Sequence, residues 1–165
     1  MLNILPLLVS TGAIFDESKQ YRYVLWRNFV TDPQSPCLWI MLNPSTATEY
    51  EDDPTVRKCQ EFSRRWGHDS CRVVNIFAWR STDPSVLPTL EDPIGPENDT
   101  YILKEAEFAT RIICAWGNHG TIRGRGWHVK QLLKPYACWC LGRNQNGEPV
   151  HPLYQPKLSP LISYS

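Results

Sequence analysis

Four short apolar runs organise this chain: Cys37 to Leu42, Arg72 to Phe77, Arg111 to Trp116 and Cys138 to Leu141. Runs of this length, bounded by turn residues, predict buried strands. Helical spacing fills the gaps between them. Val56, Cys59, Phe62 and Trp66 form one stripe, with Asp53 as the predicted N-cap, Pro54 at the first helical position and Gly67 as the stop. Asn98 or Asp99 predicts the cap of a second helix carrying Ile102, Leu103, Ala106 and Ala109, and Val129, Leu132 and Leu133 mark a third, stopped by Pro135. Strand alternating with helix predicts right-handed crossovers and a three-layer α/β/α sandwich around a mainly parallel, four-stranded sheet. Ahead of it, Tyr21 to Trp26 mixes aromatics with Arg22 and Val24, which predicts an N-terminal β hairpin or edge strands. The Pro-rich stretch from Thr82 to Pro96 predicts a loop long enough to be functional or mobile. After Leu141 the pattern predicts loop.

The 165 residues are expected to form one domain, 1–165. Seventeen basic residues balance seventeen acidic ones, so no global field draws the chain to nucleic acid or to a membrane. That argues against a coating DNA binder but not against an enzyme touching a few phosphates. The six cysteines, Cys37, Cys59, Cys71, Cys114, Cys138 and Cys140, lie mostly within apolar runs and are expected to be buried free thiols, which suits the cytoplasm. No C-x-x-C pair exists and the four histidines lack metal-ligand spacing, so no metal or cofactor is expected. The apolar run Ile4 to Val9 is too short to span a bilayer and has no basic residue before it.

The candidate chemistry sits where strands end. Asn43-Pro44 follows the first run, Asn75 closes the second, and His151-Pro152 comes after the fourth. Side chains that end parallel strands converge, and open α/β sheets bind ligands at the carboxyl ends of their strands. Two amides and an imidazole aimed into one crevice suit a planar, hydrogen-bonding ligand such as a nucleobase. Taken singly, each residue has a structural reading: strand exit, loop cap, loop histidine. His119 follows Trp116-Gly117 at the crevice, His128 is expected on a helix face, and Asp52 and Asp53 read as capping acids, Asp52 being the one placed to reach the site. Arg123 and Arg125, set between glycines ahead of a helix, are expected either to hold a phosphate or to lie in a solvated loop. A P-loop, a dinucleotide glycine fingerprint and a G-x-S-x-G elbow are all missing.

A set of segments together resembles a bacterial and phage family of unknown function over about residues 12 to 155. They are Tyr21-Arg22-Tyr23, Met41 to Ala47, Asp52 to Thr55, Val74-Asn75, Thr82-Asp83-Pro84, Gly95 to Asp99, Ala115-Trp116-Gly117 and His151 to Tyr154. More distantly, the order of strand-end motifs resembles the uracil-DNA glycosylase superfamily. Leu42-Asn43-Pro44-Ser45 stands where that superfamily has G-x-N-P-G or G-x-D-P-Y, Val74-Asn75-Ile76-Phe77 where some branches place a base-reading Asn, Ile112 to Gly117 where an apolar strand ends in glycine, and His151 to Tyr154 where H-P-S-P is found. Met41, Ser45 and Leu153-Tyr154 depart from those patterns.

The resemblance implies a monomeric DNA glycosylase-like hydrolase that flips a uracil-like or modified base out of single- or double-stranded DNA and cleaves its N-glycosidic bond. In that reading Asn43 orients the water and His151 stabilises the leaving base. Asn75 reads the base edge, Tyr50 or Phe77 stacks on its face, and Leu153 and Tyr154 fill the hole in the duplex. Met41, Leu42, Pro44, Ser45, Trp116 and Gly117 complete the substrate site. Two alternatives stay open: an N-glycosidase acting on free nucleosides or nucleotides, and a non-catalytic module that binds a modified base or nucleotide.

Overall fold

The structure, a computed structural model, describes residues 7–165. The first part of the Ile4 to Val9 run therefore lies outside the described residues. Among the described residues, seven strands form one mixed sheet: β1 (Ser10–Phe15), β2 (Arg22–Asn28), β3 (Pro36–Met41), β4 (Ser70–Asn75), β5 (Arg111–Cys114), β6 (Cys138–Cys140) and β7 (Ile162–Ser163), in the order β1-β2-β4-β3-β5-β6-β7. The four strands anticipated from the apolar runs are the parallel centre, β4-β3-β5-β6. The hairpin β1-β2 extends one side, with β2 antiparallel to β4. At the other edge β7 pairs antiparallel with β6. The sheet is thus larger than four strands, and the stretch after Leu141 is not wholly loop. Two residues carry no periodic signal, and β7 is held by its ladder with Trp139 and Cys140.

Helices cover both faces. Helix α1 (Pro54–Arg65) begins as its sequence dictates: Asp53 accepts a hydrogen bond from Val56 N–H at 2.8 Å, Pro54 occupies the first turn, and Gly67 follows at φ 82°. Its Val56, Cys59 and Phe62 pack on Trp39, Met41, Val73 and Ile113. Helices α2 (Asn98–Phe108) and α3 (Arg125–Leu132) cover the opposite face, where Ile102, Ala106 and Val129 meet Leu38, Ile40, Val74 and Cys114. Each Val, Leu, Ile, Phe or Met side chain among them contributes about 1.5–3 kcal/mol on full burial. The expected cap of α2 is corrected. Its N-cap is Glu97, and the Asn98 side chain turns inward to donate to the carbonyls of Asn75 (2.8 Å) and Ile76 (3.2 Å). Glycine at 117 is required by its φ of 77°, which turns the chain sharply as β5 runs out.

All six cysteines are free and buried. No helix among the described residues is long and apolar enough to cross a membrane.

From β3 the chain crosses by α1 to β4, then by α2 to β5 on the other side of β3. The loops after β3 and β5 consequently leave toward opposite faces. The gap between them is the kind of switch point at which open α/β sheets hold ligands.

Candidate functional site

A cavity of about 530 Å³ occupies that switch point. Every strand-end motif contributes to its wall: Met41, Leu42, Asn43 and Ser45 after β3, Asn75 at the end of β4, Trp116 and Gly117 after β5, and His151, Leu153 and Tyr154 after β6. The three side chains singled out for chemistry, Asn43, Asn75 and His151, line one space although they are far apart in sequence.

Asn43 is half-buried and its amide orientation is fixed by its neighbours. Nδ2 donates to the carbonyl oxygens of Ser81 (2.9 Å) and Pro44 (3.2 Å), and only an NH2 group can satisfy two carbonyls. The carbonyl Oδ1 is left as the group able to engage a ligand, and it can only accept. Asn43 is therefore fitted to hold a water or hydroxyl and unfitted to donate to a substrate. Ser81 N–H in turn bonds Pro44 O at 2.9 Å, lacing the loops after β3 and β4 together.

Asn75 is 1% exposed, and neither Oδ1 nor Nδ2 has a hydrogen-bond partner among the described residues. Leaving such groups unpaired costs about 1–3 kcal/mol each. Its backbone is clamped from behind by Asn98, so the strand end cannot shift to find a partner. A buried amide with both functions unmatched is complementary to a ligand edge that offers one donor and one acceptor.

His151 accepts a hydrogen bond at Nδ1 from Leu153 N–H (3.2 Å). That requires the proton of the neutral ring to sit on Nε2, which is then a donor. Burial holds the imidazole below its ordinary pKa, and the charge of Asp53 offsets part of the shift, so the ring is neutral at pH 7. His151 packs on the Gly117 turn, where a Cβ at 117 would lie 3.5 Å from the His151 Cβ.

His68 is lowered in the same direction, chiefly by burial. Both rings resist protonation in the folded state, whereas in the unfolded chain they take up protons near the ordinary value of 6.5. The unfolded state then binds more protons below that pH, so stability is unaffected above it and falls as pH drops through it toward the folded pKa values. Urea unfolding from about pH 7.5 to about pH 5.5 should show the midpoint fall, with a shallower fall in His151→Asn.

Two charged residues of the wall went unrecognised in the sequence. Asp53 lines the cavity, while Asp52, the acid expected to reach it, does not: Asp52 pairs with Arg27 (2.8 Å) and accepts from Gln60 (2.8 Å). Only Oδ1 of Asp53 is spent on the helix cap. Arg22 also lines the cavity, 2% exposed, with Nη1 donating to Ala47 O at 2.9 Å. Asp53 was legible as a cap, and nothing in the spacing said that a cap at this helix would also face the cavity.

Other expectations are corrected. Phe77 is fully buried in the core beneath α2 and is not part of the cavity wall, so it offers no stacking face. Tyr50 is 85% exposed and also lies outside the wall. Pro44 is buried and contributes its carbonyl to the loop lacing, not to the wall. The phosphate role of Arg123 and Arg125 fails on geometry. Arg123 spends its guanidinium on the carbonyls of Pro88, Leu90 and Glu91, and Arg125 is buried against Ile76 O (2.7 Å) and Asp99 (2.5 Å). His128 is exposed on α3 beside Asp99, whereas His119 is exposed at the cavity rim. Trp116 forms a wall through its ring while its indole N–H is held by Glu148. Among the described residues, no group of three or more His, Cys, Asp or Glu is arranged to hold a metal ion.

No curated protein and no solved structure matches the chain. A family described as a protein of unknown function (DUF1643) does match, over residues 22–153, the stretch that runs from the buried arginine of β2 to the far wall of the cavity. This chain belongs to that family.

Proposed function

We propose that the protein is an N-glycosyl hydrolase of DNA glycosylase type, which takes a flipped base into the switch-point cavity and cleaves its bond to the sugar. The observation that carries this reading is the buried, unmatched amide of Asn75 in a cavity shared with an accepting Asn43 Oδ1 and a donating His151 Nε2. The parallel centre of the sheet with motifs at its strand ends supports a uracil-DNA glycosylase-like architecture as the finer description of the fold.

The division of labour follows from the donors and acceptors. Breaking the C1′–N bond sends its electron pair onto the base and leaves positive charge on the sugar. His151 Nε2–H stabilises the departing base as negative charge gathers there. Asn43 Oδ1 holds the attacking water, but an amide does not remove a proton. That part falls to the free oxygen of Asp53, which takes the proton as the water oxygen bonds C1′ and returns it to the released base. At the mouth, Tyr154 is 87% exposed and offers a face for the neighbouring base or for the gap in a duplex. Base flipping costs about a few kcal/mol, which such stacking offsets.

A second reading, hydrolysis of free nucleosides or nucleotides, is favoured by one observation: Arg123 and Arg125 are committed to protein partners, and no basic excess exists to track a backbone.

The test is release of base from single- and double-stranded oligonucleotides carrying uracil, hypoxanthine or modified pyrimidines, and from the matching mononucleotides. His151→Ala is expected to lower the rate on the order of 10²–10³, as removal of one such donor does elsewhere, and Asn43→Ala to lower it as well. Release confined to mononucleotides selects the second reading. No release from any substrate, or equal rates in wild type and both variants, overturns the hydrolase assignment and leaves a binding module.

A further inference from the structure

Arg22 reaches the cavity because β2 carries an extra residue. Along the β1–β2 ladder Ile14 faces Val24 and Phe15 faces Arg22, so Tyr23 has no opposite number. In a regular strand, residues two apart share a face. Val24 belongs to the core under α2 and α3, and Arg22 would follow it there. The bulge reverses the side. Tyr23 joins Val24 in that core, and Arg22 instead crosses to the α1 face, where it lines the cavity and donates to Ala47 O. Bulges beside functional sites commonly serve to re-aim one side chain.

The protein matches the re-aimed guanidinium only in part: Nη1 donates to Ala47 O and the charge of Asp53 acts on it, while Nε is left over. Arg22 is 2% exposed, no carboxylate among the described residues forms an ion pair with it, and its Nε has no hydrogen-bond partner. Burial lowers its pKa to about 10, which leaves it charged at neutral pH. A buried charged group with a donor left unmatched is costly. An acceptor on the ligand is the natural complement.

Two ligand groups supply acceptors: a phosphate and the oxo oxygen of a base. A phosphate offers acceptors alone, so it would leave Asn75 Oδ1 unmatched, and the carboxylate of Asp53 in the same wall repels a dianion. A base edge in which an oxo oxygen adjoins a ring N–H satisfies both residues, with an acceptor for Arg22 and a donor–acceptor pair for Asn75.

Building on the base-site reading, we propose that Arg22 is the specificity-determining residue of the cavity, selecting bases with a lactam edge, such as uracil and hypoxanthine, over their amino counterparts cytosine and adenine. An exocyclic amino group placed there would set donor against donor. The same contact serves the reaction, because charge arriving on the departing base spreads onto the oxo oxygen that faces the guanidinium. Arg22 then stabilises the leaving group more than the bound substrate, which is the condition for raising a rate.

The test uses the whole protein and free bases, so it does not depend on turnover. Titration calorimetry of wild type is expected to give hypoxanthine at least about tenfold tighter than adenine, and uracil at least about tenfold tighter than cytosine. In Arg22→Gln, with circular dichroism confirming the fold, both preferences fall toward parity. Should that variant fail to fold, the wild-type comparison decides alone. Equal affinity within each pair, preference for the amino member, or displacement of the base by inorganic phosphate overturns the proposal. Lactam preference without bond cleavage upholds it while overturning the hydrolase reading, and cleavage without lactam preference does the reverse.

Discussion

Asn75→Leu is expected to make the protein more stable by about 1–3 kcal/mol while lowering the proposed base release on the order of 10⁴. The two effects have one origin. In the wild type a fully desolvated amide makes none of its side-chain hydrogen bonds, so an apolar side chain of similar length removes a penalty and breaks no contact. Met41, Val73 and Cys59 of the surrounding wall provide the apolar packing for it. Once a substrate enters, the balance reverses, because a polar base edge set against leucine is stripped of water and left unpaired. Sites that hydrogen-bond a ligand group in the wild type discriminate by such large factors for this reason. Urea unfolding and a release assay on the same preparation check the pair. A variant that is destabilised and still active would show that Asn75 is a structural amide and nothing more.

Arg27→Ala is expected to cost about 3 kcal/mol, the lower end of the range for breaking a buried ion pair, because Asp52 is partly exposed. Arg27 is 1% exposed and spends its fork on four acceptors: Asp52 (2.8 Å), Trp26 O (2.9 Å), Thr48 O (2.6 Å) and Glu51 O (3.2 Å). Those last two carbonyls belong to the loop that joins β3 to α1, and Asp52 adjoins the cap residue Asp53. Truncation leaves Asp52 with Gln60 as its hydrogen-bond donor but without its cation, and deprives the loop carbonyls of the guanidinium. It also frees the loop that sets the near wall of the cavity, so the proposed base release is expected to fall with stability. Arg27→Lys should recover little of either, since an ammonium cannot span divergent acceptors. Unfolding midpoints of the two variants measure this directly, and full recovery by lysine would show that charge alone is at work.

How much of this was visible in the chain varies with the range of the interaction that decides it. Helix α1 was legible to within a residue because Asp53, Pro54 and Gly67 act locally through capping, a fixed φ and a positive φ. The parallel centre was legible because buried strands must be apolar. Convergence of Asn43, Asn75 and His151 followed from that centre, since parallel strands end on one side. Failures began where tertiary partners decide. Asn98 has the residue type of a cap, yet the backbone after β4 claims its amide. Phe77 follows a polar strand end but turns into the core, while Arg123 and Arg125 have the sequence of an anion loop and the bonds of a structural staple. Arg22 was missed for a subtler reason. Alternation along β2 places it on the wrong face, and a single extra residue in the strand leaves no trace in composition or periodicity.

Cys59, in the wall of the cavity, has a chemical consequence of its own. An electron-poor sugar carbon is open to capture by any soft nucleophile beside it, and a thiolate is the softest that a protein offers. Burial drives the Cys59 thiol well above its usual pKa, which keeps the sulfur of this wall residue protonated. In the proposed reaction oxygen from solvent is then the nucleophile that arrives. That reaction would turn the sugar carbon into a hemiacetal, within the strand or free, with no thioglycoside tethering the protein to its product.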